Sequence, residues 1–228
     1  MESNILSNTF PVTIGTDPTS NESVNIDLAK CGNILIGGAT KQGNSHCIHN
    51  LISQLNALPT PPEMILFDPK RCEFGRYKEK YRVIESQFDT EAFLLSIIND
   101  YILDDGISSP ASSHSPFVLI IDELYDLICM HKSRSMKKYS HYLCYLAIII
   151  ILSQGPKKNV YTIFSTQSSD KDILTKKILE NCRTRIALKT MTCQDSKRII
   201  KKSGAEILPD SGDAILYQNG HYRRIRCH

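Results

Sequence analysis

The stretch that decides the fold is residues 33–45, which read NILIGGATKQGNS. It starts with the apolar run Asn33–Gly37, passes through a loop with glycines at 38 and 43, and leads into an apolar-periodic helix beginning near Ser45. A strand, a glycine loop and a helix in this order are typical of a phosphate-binding loop, where backbone amides at a helix N-terminus converge on phosphate oxygens. We therefore expect an anion site here. An ordinary glycine turn is the alternative.

The loop departs from the phosphate-binding pattern G-x-x-x-x-G-K-[ST] at one position. Gly38, Gly43 and Ser45 fit the pattern, but Asn44 stands where the lysine is expected. Because asparagine is shorter and uncharged, a bound triphosphate should lose a contact of roughly 1.5–3 kcal/mol. Removing one group aimed at developing charge slows a reaction by about 10²–10³-fold, so hydrolysis should be slow or absent. Lys41 could partly replace the missing ammonium; a solvated loop lysine is the alternative.

Short apolar runs alternate with helix-length segments along the chain. The runs are apolar on both faces, which is typical of buried strands in a parallel sheet. Their alternation with helices predicts an α/β fold with a mainly parallel twisted sheet, helices on both faces, and ligands at the carboxyl ends of the strands. The predicted strands are Asn33–Gly37, Met64–Phe67, Phe117–Ile121, Val160–Phe164 and Thr184–Leu188, and the predicted helices are Ser45–Leu55, Thr90–Leu103, Tyr139–Leu152, Asp172–Asn181 and Gln194–Lys202.

Smaller elements flank this core. Two short apolar segments, PVTIG and VNIDL, precede it, and an Asn-Gly step predicts a C-terminal hairpin of Asp213–Tyr217 with Tyr222–Arg226. Serine-rich residues 108–115 predict a loop.

Two carboxylates follow one of the predicted strands. Asp122 and Glu123 come directly after Phe117–Ile121, which is the arrangement of a Walker B strand. In nucleotide hydrolases of this kind the first carboxylate supports Mg²⁺ and the second polarises the attacking water. We expect this strand to neighbour the strand Asn33–Gly37, so that the acids face the glycine loop. Capping of the following helix is the alternative.

Taken together, these motifs resemble the FtsK/SpoIIIE family of hexameric DNA-pumping motors over nearly the whole chain. The resemblance implies a RecA-like P-loop ATPase fold. It rests on segments that follow the family's order: PVTIG and VNIDLAK before the loop, then FDPK at 67–70, DELYDL at 122–127, FSTQ at 164–167, TRIA at 184–187, and GDA at 212–214.

Site residues carried over by position follow from this resemblance. ATP would lie against the loop, Ser45 and Asp122 would hold Mg²⁺, Glu123 would activate water, and Gln167 would sense the γ-phosphate. A turn glutamine is the alternative for Gln167. The expected nucleotide-binding residues are Gly38, Ala39, Thr40, Lys41, Gln42, Gly43, Asn44 and Ser45.

The partner implied by the resemblance is double-stranded DNA, bound by a ring of this chain or by a ring it forms with intact relatives. A net charge of +3 permits a polyanionic partner without requiring one. Basic residues gather at 70–82, 131–138 and 176–185. Spacing of four would put Lys197 with Lys201, and Arg198 with Lys202, on one helix face that could contact DNA phosphates. A solvated surface helix is the alternative.

Length and composition suit one globular domain of 228 residues. We expect an N-terminal lead-in at 1–30, a P-loop core at 31–210 and a C-terminal hairpin at 211–228, with no winged-helix or membrane-spanning segment. Met1–Phe10 does not resemble a secretion signal, which favours a cytoplasmic location. The eight cysteines include no C-x-x-C pair, so free thiols are expected.

Two other functions remain open. One is a non-catalytic nucleotide-binding module at an oligomer interface, and the other is a ring ATPase of a protein secretion system.

Overall fold

The computed structural model describes residues 9–103, 115–129, 138–167 and 169–227. The loop expected at 108–115 and the basic run at 131–138 fall almost entirely outside these ranges. Ten strands form one sheet in the order β2-β1-β10-β9-β8-β3-β7-β6-β4-β5. The strands are β1 (Pro11–Thr16), β2 (Ser23–Asp27), β3 (Asn33–Gly37), β4 (Glu63–Phe67), β5 (Arg82–Ile84), β6 (Phe117–Ile121), β7 (Val160–Thr166), β8 (Thr184–Leu188), β9 (Asp213–Gln218) and β10 (His221–Arg226).

The predicted α/β fold with a mainly parallel sheet is confirmed. Strands β8, β3, β7, β6, β4 and β5 pair in parallel, and β9, β10, β1 and β2 continue the sheet in antiparallel pairs. Every residue of β3, β6, β7 and β8 is buried. Burial on both faces explains why these segments are continuously apolar rather than alternating.

The expectation that β3 and β6 are neighbours is wrong, because β7 lies between them. Gly37 pairs with Thr166 of β7, and Phe164 of β7 pairs with Ile121 of β6. The carboxyl ends of the three strands therefore still meet at one edge of the sheet.

Helices cover both faces of the sheet. Helix α2, together with the N-terminal strands, lies over one apolar cluster, and the helices α3 to α7 lie over the other. No helix within the described ranges has the length and apolar character needed to cross a membrane. The helices are α1 (Leu28–Cys31), α2 (Asn44–Asn56), α3 (Gln87–Ile97, continued by a π-helical turn at Ile98–Ile102), α4 (Leu124–Cys129), α5 (Lys138–Gln154), α6 (Lys176–Glu180) and α7 (Cys193–Ile200), and short 3₁₀ turns lie at Gly75–Tyr77, Gly155–Lys158 and Ala205–Ile207.

Two predicted helices are shorter than expected. The segment predicted as Asp172–Asn181 is helical only from Lys176, because the Thr175 side chain caps the helix there and accepts a hydrogen bond from the Ile178 amide. Helix α7 ends at Ile200, because Lys201 adopts a left-handed conformation with φ of 64°.

Two buried polar side chains connect helices to the sheet. The Asn33 amide donates to the backbone carbonyls of Leu152 (2.8 Å) and Asn181 (3.0 Å). The Arg185 guanidinium donates to the carbonyls of Cys182 (2.8 Å) and Ile199 (3.0 Å). Each bond satisfies a backbone acceptor that lies outside the sheet ladder, although the buried Asn33 Oδ1 has no donor among the described residues.

The predicted C-terminal hairpin is confirmed, with Asn219 and Gly220 at positive φ in the turn. Its first residue, Asp213, is fully buried and bonded to Arg226 (2.9 Å) and Arg224 (3.1 Å) on β10. Burial alone would raise the pKa of Asp213, but the hydrogen bonds and charges of Arg226 and Arg224 outweigh burial and hold that pKa below its usual value.

We predict that the Asp213 ion pairs make the fold sensitive to acid. Because the pKa of Asp213 is lower in the folded than in the unfolded chain, its carboxylate stabilises the fold above the ordinary Asp pKa of about 3.9 and this contribution is lost as pH falls further. Asp213→Asn should lower the free energy of unfolding at neutral pH by about 1–3 kcal/mol and flatten its dependence on acid pH. Urea unfolding at neutral and acid pH measures both effects.

Asp210→Asn is the matched control, since Asp210 contacts the same Arg226 but is 68% exposed. Exposed ion pairs contribute about 0–1 kcal/mol, so this variant should unfold almost like the wild type. Equal losses in the two variants would contradict the prediction.

Candidate functional site

The glycine loop ends in a helix start that has free backbone donors. Gly43 precedes α2 with φ of 109°, and no side chain caps the helix. The backbone amides of Gly43, Asn44, Ser45 and His46 have no acceptor among the described residues. A Cβ added at Gly38 would lie 2.8 Å from the Leu188 Cβ, so only glycine allows this close approach of β8. The turn therefore offers the converging amides that an anion site requires.

Asn44 lies inside the loop rather than in solvent. Its side chain is 5% exposed, and its Nδ2 donates to the carbonyl of Gly38 at 3.1 Å. Its Oδ1 is buried and finds no hydrogen-bond donor among the described residues. The amide therefore ties the start of the loop to the helix and supplies no positive charge.

Ser45 brings the loop into contact with the first acid. Its hydroxyl donates to Asp122 Oδ1 at 3.0 Å, although the strands that lead to these residues, β3 and β6, are separated by β7. Burial raises the pKa of Asp122 to about 6, and the nearby carboxylates of Glu73, Glu123 and Asp68 add to this rise, which the Ser45 hydrogen bond only partly offsets. A buried carboxylate with this many acidic neighbours would be stabilised by a cation.

Glu123 is held by three donors at the tip of β7. Thr166 Oγ1 and the Tyr125 amide donate to Oε1 at 2.8 and 3.0 Å, and the Gln167 amide donates to Oε2 at 2.7 Å. Burial raises the pKa of Glu123 in spite of these hydrogen bonds. The three bonds fix the orientation of the carboxylate and leave one lone pair of Oε2 free.

The Gln167 side chain reaches the loop from the neighbouring strand. Its Oε1 accepts a hydrogen bond from the Thr40 hydroxyl at 2.7 Å. Sequence analysis assigned no role to Thr166 or Ser165, whose hydroxyls bond Glu123 and the Asp122 carbonyl. Their signal was present in the FSTQ segment, where two hydroxyl residues interrupt an apolar strand.

The C-terminal segment forms one wall of the site. Gly212 donates to the Gln42 carbonyl at 3.1 Å, and the Ser211 hydroxyl donates to the Lys41 carbonyl at 3.3 Å. A cavity of about 520 Å³ opens there. Its lining comprises Lys41, Gly43, Asn44, Ser45, His46, Cys47, Gln167, Ser211, Gly212 and Cys227.

The helix predicted to carry four basic residues on one face ends before the last of them. Lys201 caps the end of α7 and donates its backbone amide to the Lys197 carbonyl at 2.8 Å, whereas Lys202 lies beyond the helix. Arg198 donates to the Ser169 carbonyl, and the Lys202 ammonium lies 5.1 Å from the Tyr222 ring centroid. The left-handed turn at Lys201 is the physical reason for the difference.

The oxygen donors at the loop fit Mg²⁺ that also binds phosphate. Ser45 and Asp122 present hard oxygen atoms, and no group of three or more His, Cys, Asp or Glu side chains that could hold a metal occurs within the described part of the chain. Mg²⁺ commonly uses one or two protein oxygens together with substrate phosphates and water. Ser45 and Asp122 are therefore the residues that could hold it.

Comparison of this chain with known proteins supports the motifs identified in its sequence. A family model described as the FtsK/SpoIIIE family matches residues 6–92. The DNA translocase SftA of Bacillus subtilis (strain 168) is 29% identical over 240 residues, which cover 93% of this chain but only 24% of SftA. This chain thus spans about a quarter of that relative's length.

Solved structures show the same fold at lower identity. The pCW3 conjugation coupling protein TcpA, solved as a monomer with ATPγS, has a TM-score of 0.78 at 18% identity, covering 96% of this chain and 66% of that one. The cytoplasmic domain of the Thermomonospora curvata Type VII secretion ATPase EccC has a TM-score of 0.72 at 17% identity, covering 96% and 28%. These structures show that the chain has a RecA-like α/β fold, and its residues 6–92 match the model of the FtsK/SpoIIIE family.

Proposed function

We propose that this chain is a motor-type domain that binds ATP with Mg²⁺, hydrolyses it slowly, and acts on double-stranded DNA. The observation that carries the proposal is the contact of 3.0 Å between the Ser45 hydroxyl and the Asp122 carboxylate. This contact joins the free amides of the loop to the acid pair, so one site offers donors for phosphate and oxygen ligands for a cation.

Each side chain has a role in this proposal. The amides from Gly43 to His46 bind phosphate oxygens, and Ser45 and Asp122 hold Mg²⁺, which neutralises phosphate charge when bound. Glu123 orients the attacking water, and Gln167 lies where it can respond to the terminal phosphate. Thr166 and the Gln167 amide position Glu123 through their hydrogen bonds.

Two features support slow hydrolysis. Asn44 contributes no ammonium to the transferring phosphoryl group, and such a missing charge reduces rates by about 10²–10³-fold. Glu123 already accepts three hydrogen bonds, and these favour its ionised form and so make it a weaker base toward water. Nucleotide binding depends less on the side chains at positions 44 and 123 than hydrolysis does, because the backbone amides of the loop remain available to bind phosphate.

DNA as the substrate is supported by the family and by relatives named DNA translocases. The resemblance also favours assembly into a ring. That ring would be a hexamer of this chain alone or a hexamer that this chain forms with intact relatives. The basic residues Lys197, Arg198, Lys201 and Lys202 remain candidates for phosphate contacts. A protein-pumping role is the competing substrate assignment, because EccC has the same fold.

A non-catalytic nucleotide-binding module is the second candidate function. It is favoured by the position of Asn44, whose amide bonds the Gly38 carbonyl and stabilises the loop without a charge. In this case the site would bind nucleotide to shape an oligomer interface and would not turn over.

We predict that Asn44→Lys increases ATP hydrolysis by about 10²–10³-fold, because the ammonium supplies the missing charge next to the phosphates. Asn44→Met is the matched control, since it lengthens the side chain without adding charge. Phosphate release measured with and without duplex DNA tests both variants. An unchanged rate in Asn44→Lys would contradict the damaged-motor proposal and favour the non-catalytic module.

We predict that Ser45→Ala weakens binding of a non-hydrolysable ATP analogue by about 10–100-fold in Mg²⁺, because a hydrogen-bonding group at a charged site is lost. Calorimetry should show a much smaller loss when EDTA removes Mg²⁺. Ser211→Ala is the control, because Ser211 lines the same cavity but bonds only a backbone carbonyl. Equal affinities of Ser45→Ala and the wild type in Mg²⁺ would reject the assigned role.

We predict salt-sensitive binding of duplex DNA that depends on Lys197 and Lys201. Each lysine that contacts a phosphate should contribute about 0.9 to the slope of log affinity against log salt. The variant Lys197→Ala with Lys201→Ala should lower that slope in fluorescence anisotropy. The charge-matched control is Lys30→Ala with Lys157→Ala. These two lysines precede the amino ends of β3 and β7.

Equal slopes for the two double variants would remove these lysines from the DNA surface. An affinity that does not change with salt would count against DNA as the substrate and favour a protein-pumping role.

A further inference from the structure

Two cysteines that are far apart in the chain meet beside the glycine loop. Cys47 lies in the first turn of α2, two residues after Ser45, and Cys227 directly follows β10. Both line the cavity of about 520 Å³ that the loop borders. The cavity gives small solutes a path to both sulfur atoms.

Backbone hydrogen bonds hold the two segments together. Gly212 donates to the Gln42 carbonyl at 3.1 Å and accepts from the Cys227 amide at 2.8 Å. On the helix side, the Cys47 amide donates to the Gly43 carbonyl at 2.9 Å. The loop, the helix and the end of β10 are therefore linked through main-chain groups, so the meeting of the cysteines does not depend on side-chain rotamers alone.

The Cys47 side chain lies close enough to the Cys227 thiol to affect its titration. This contact and burial raise the pKa of Cys227 well above its ordinary value, so Cys227 stays protonated at neutral pH. Both cysteines line the cavity, so a small oxidant can reach either sulfur, and the disulfide that results is the same whichever sulfur is oxidised first.

The other described cysteines lie in different environments. Cys144 and Cys182 are buried in the cluster on the opposite face of the sheet, and Cys72 and Cys193 are exposed. Cys31 is half-buried and accepts a hydrogen bond from the Gln218 side chain at 3.3 Å. Of the seven cysteines whose side chains the structure describes, Cys47 and Cys227 are the two that line the loop cavity.

We propose that Cys47 and Cys227 form an oxidation site, which a peroxide converts into an intramolecular disulfide. Hydrogen peroxide transfers one oxygen atom to the Cys47 sulfur, which becomes a sulfenic acid while the first water is released. The Cys227 sulfur then attacks the Cys47 sulfur, the S–O bond breaks, and the second water leaves with the Cys227 proton. Both sulfurs are oxidised and one peroxide is reduced to two waters.

The disulfide would fix the cavity wall. It would covalently join the end of β10 to the first turn of the loop helix, and a dithiol reductant would restore the open pair.

The test is peptide mapping of the folded full chain after treatment with limiting hydrogen peroxide. We expect a crosslinked peptide pair containing Cys47 and Cys227, with the loss of two hydrogen atoms, reversed by dithiothreitol. Cys72→Ser should form this crosslink as the wild type does, whereas Cys47→Ala and Cys227→Ala should each abolish it. Because either alanine variant suffices, misfolding of one leaves the other as the test.

The same protein unfolded in urea and treated with peroxide gives the reference for random disulfide pairing between its cysteines. The Cys47–Cys227 crosslink should be several-fold more abundant in the folded chain than in this reference. The proposal is wrong if both thiols remain reduced after exposed Cys72 and Cys193 are oxidised, or if the two cysteines pair no more often than in the unfolded chain. Neither outcome bears on nucleotide binding, which is measured separately.

Discussion

The inserted strand β7 is the constraint on which the site depends. It lies between β3, which enters the loop, and β6, which ends in the acids. The Thr166 carbonyl accepts from the Gly38 amide, the Thr166 hydroxyl donates to Glu123, and the Ser165 hydroxyl donates to the Asp122 carbonyl. One strand tip therefore fixes the loop and both acids, and Ser45 meets Asp122 across the strand between them.

Asn44 changes the chemistry of the loop while preserving its shape. A lysine at this position would bring a mobile charge toward phosphate, whereas the asparagine amide turns inward to the Gly38 carbonyl. This orientation of the side chain leaves Asn44 Oδ1 buried without a hydrogen-bond donor among the described residues. Such an atom destabilises a protein by about 1–3 kcal/mol unless a ligand or water supplies a donor. The loop therefore keeps its backbone shape without the charged side chain that the phosphate-binding pattern has at this position.

The antiparallel half of the sheet completes the site from the other end of the chain. Strand β9 pairs with β8, which brings the segment before Asp213 against the loop, and β10 carries Cys227 to the same place. The Asp213 ion pairs hold these two strands at their open end. A C-terminal segment that reads as a peripheral hairpin is therefore a wall of the loop cavity.

Local patterns in the sequence were enough to predict the buried strands, the glycine loop and the acid pair, because apolar runs and glycine spacing act over a few neighbouring residues. The order of the strands was not predictable, since β3 and β6 are equally apolar whether or not β7 lies between them. The end of α7 at Lys201, the inward turn of Asn44 and the meeting of Cys47 with Cys227 were also decided by tertiary structure. Each of these features depends on backbone conformation or on contacts between residues distant in the chain, so a local sequence pattern cannot predict it.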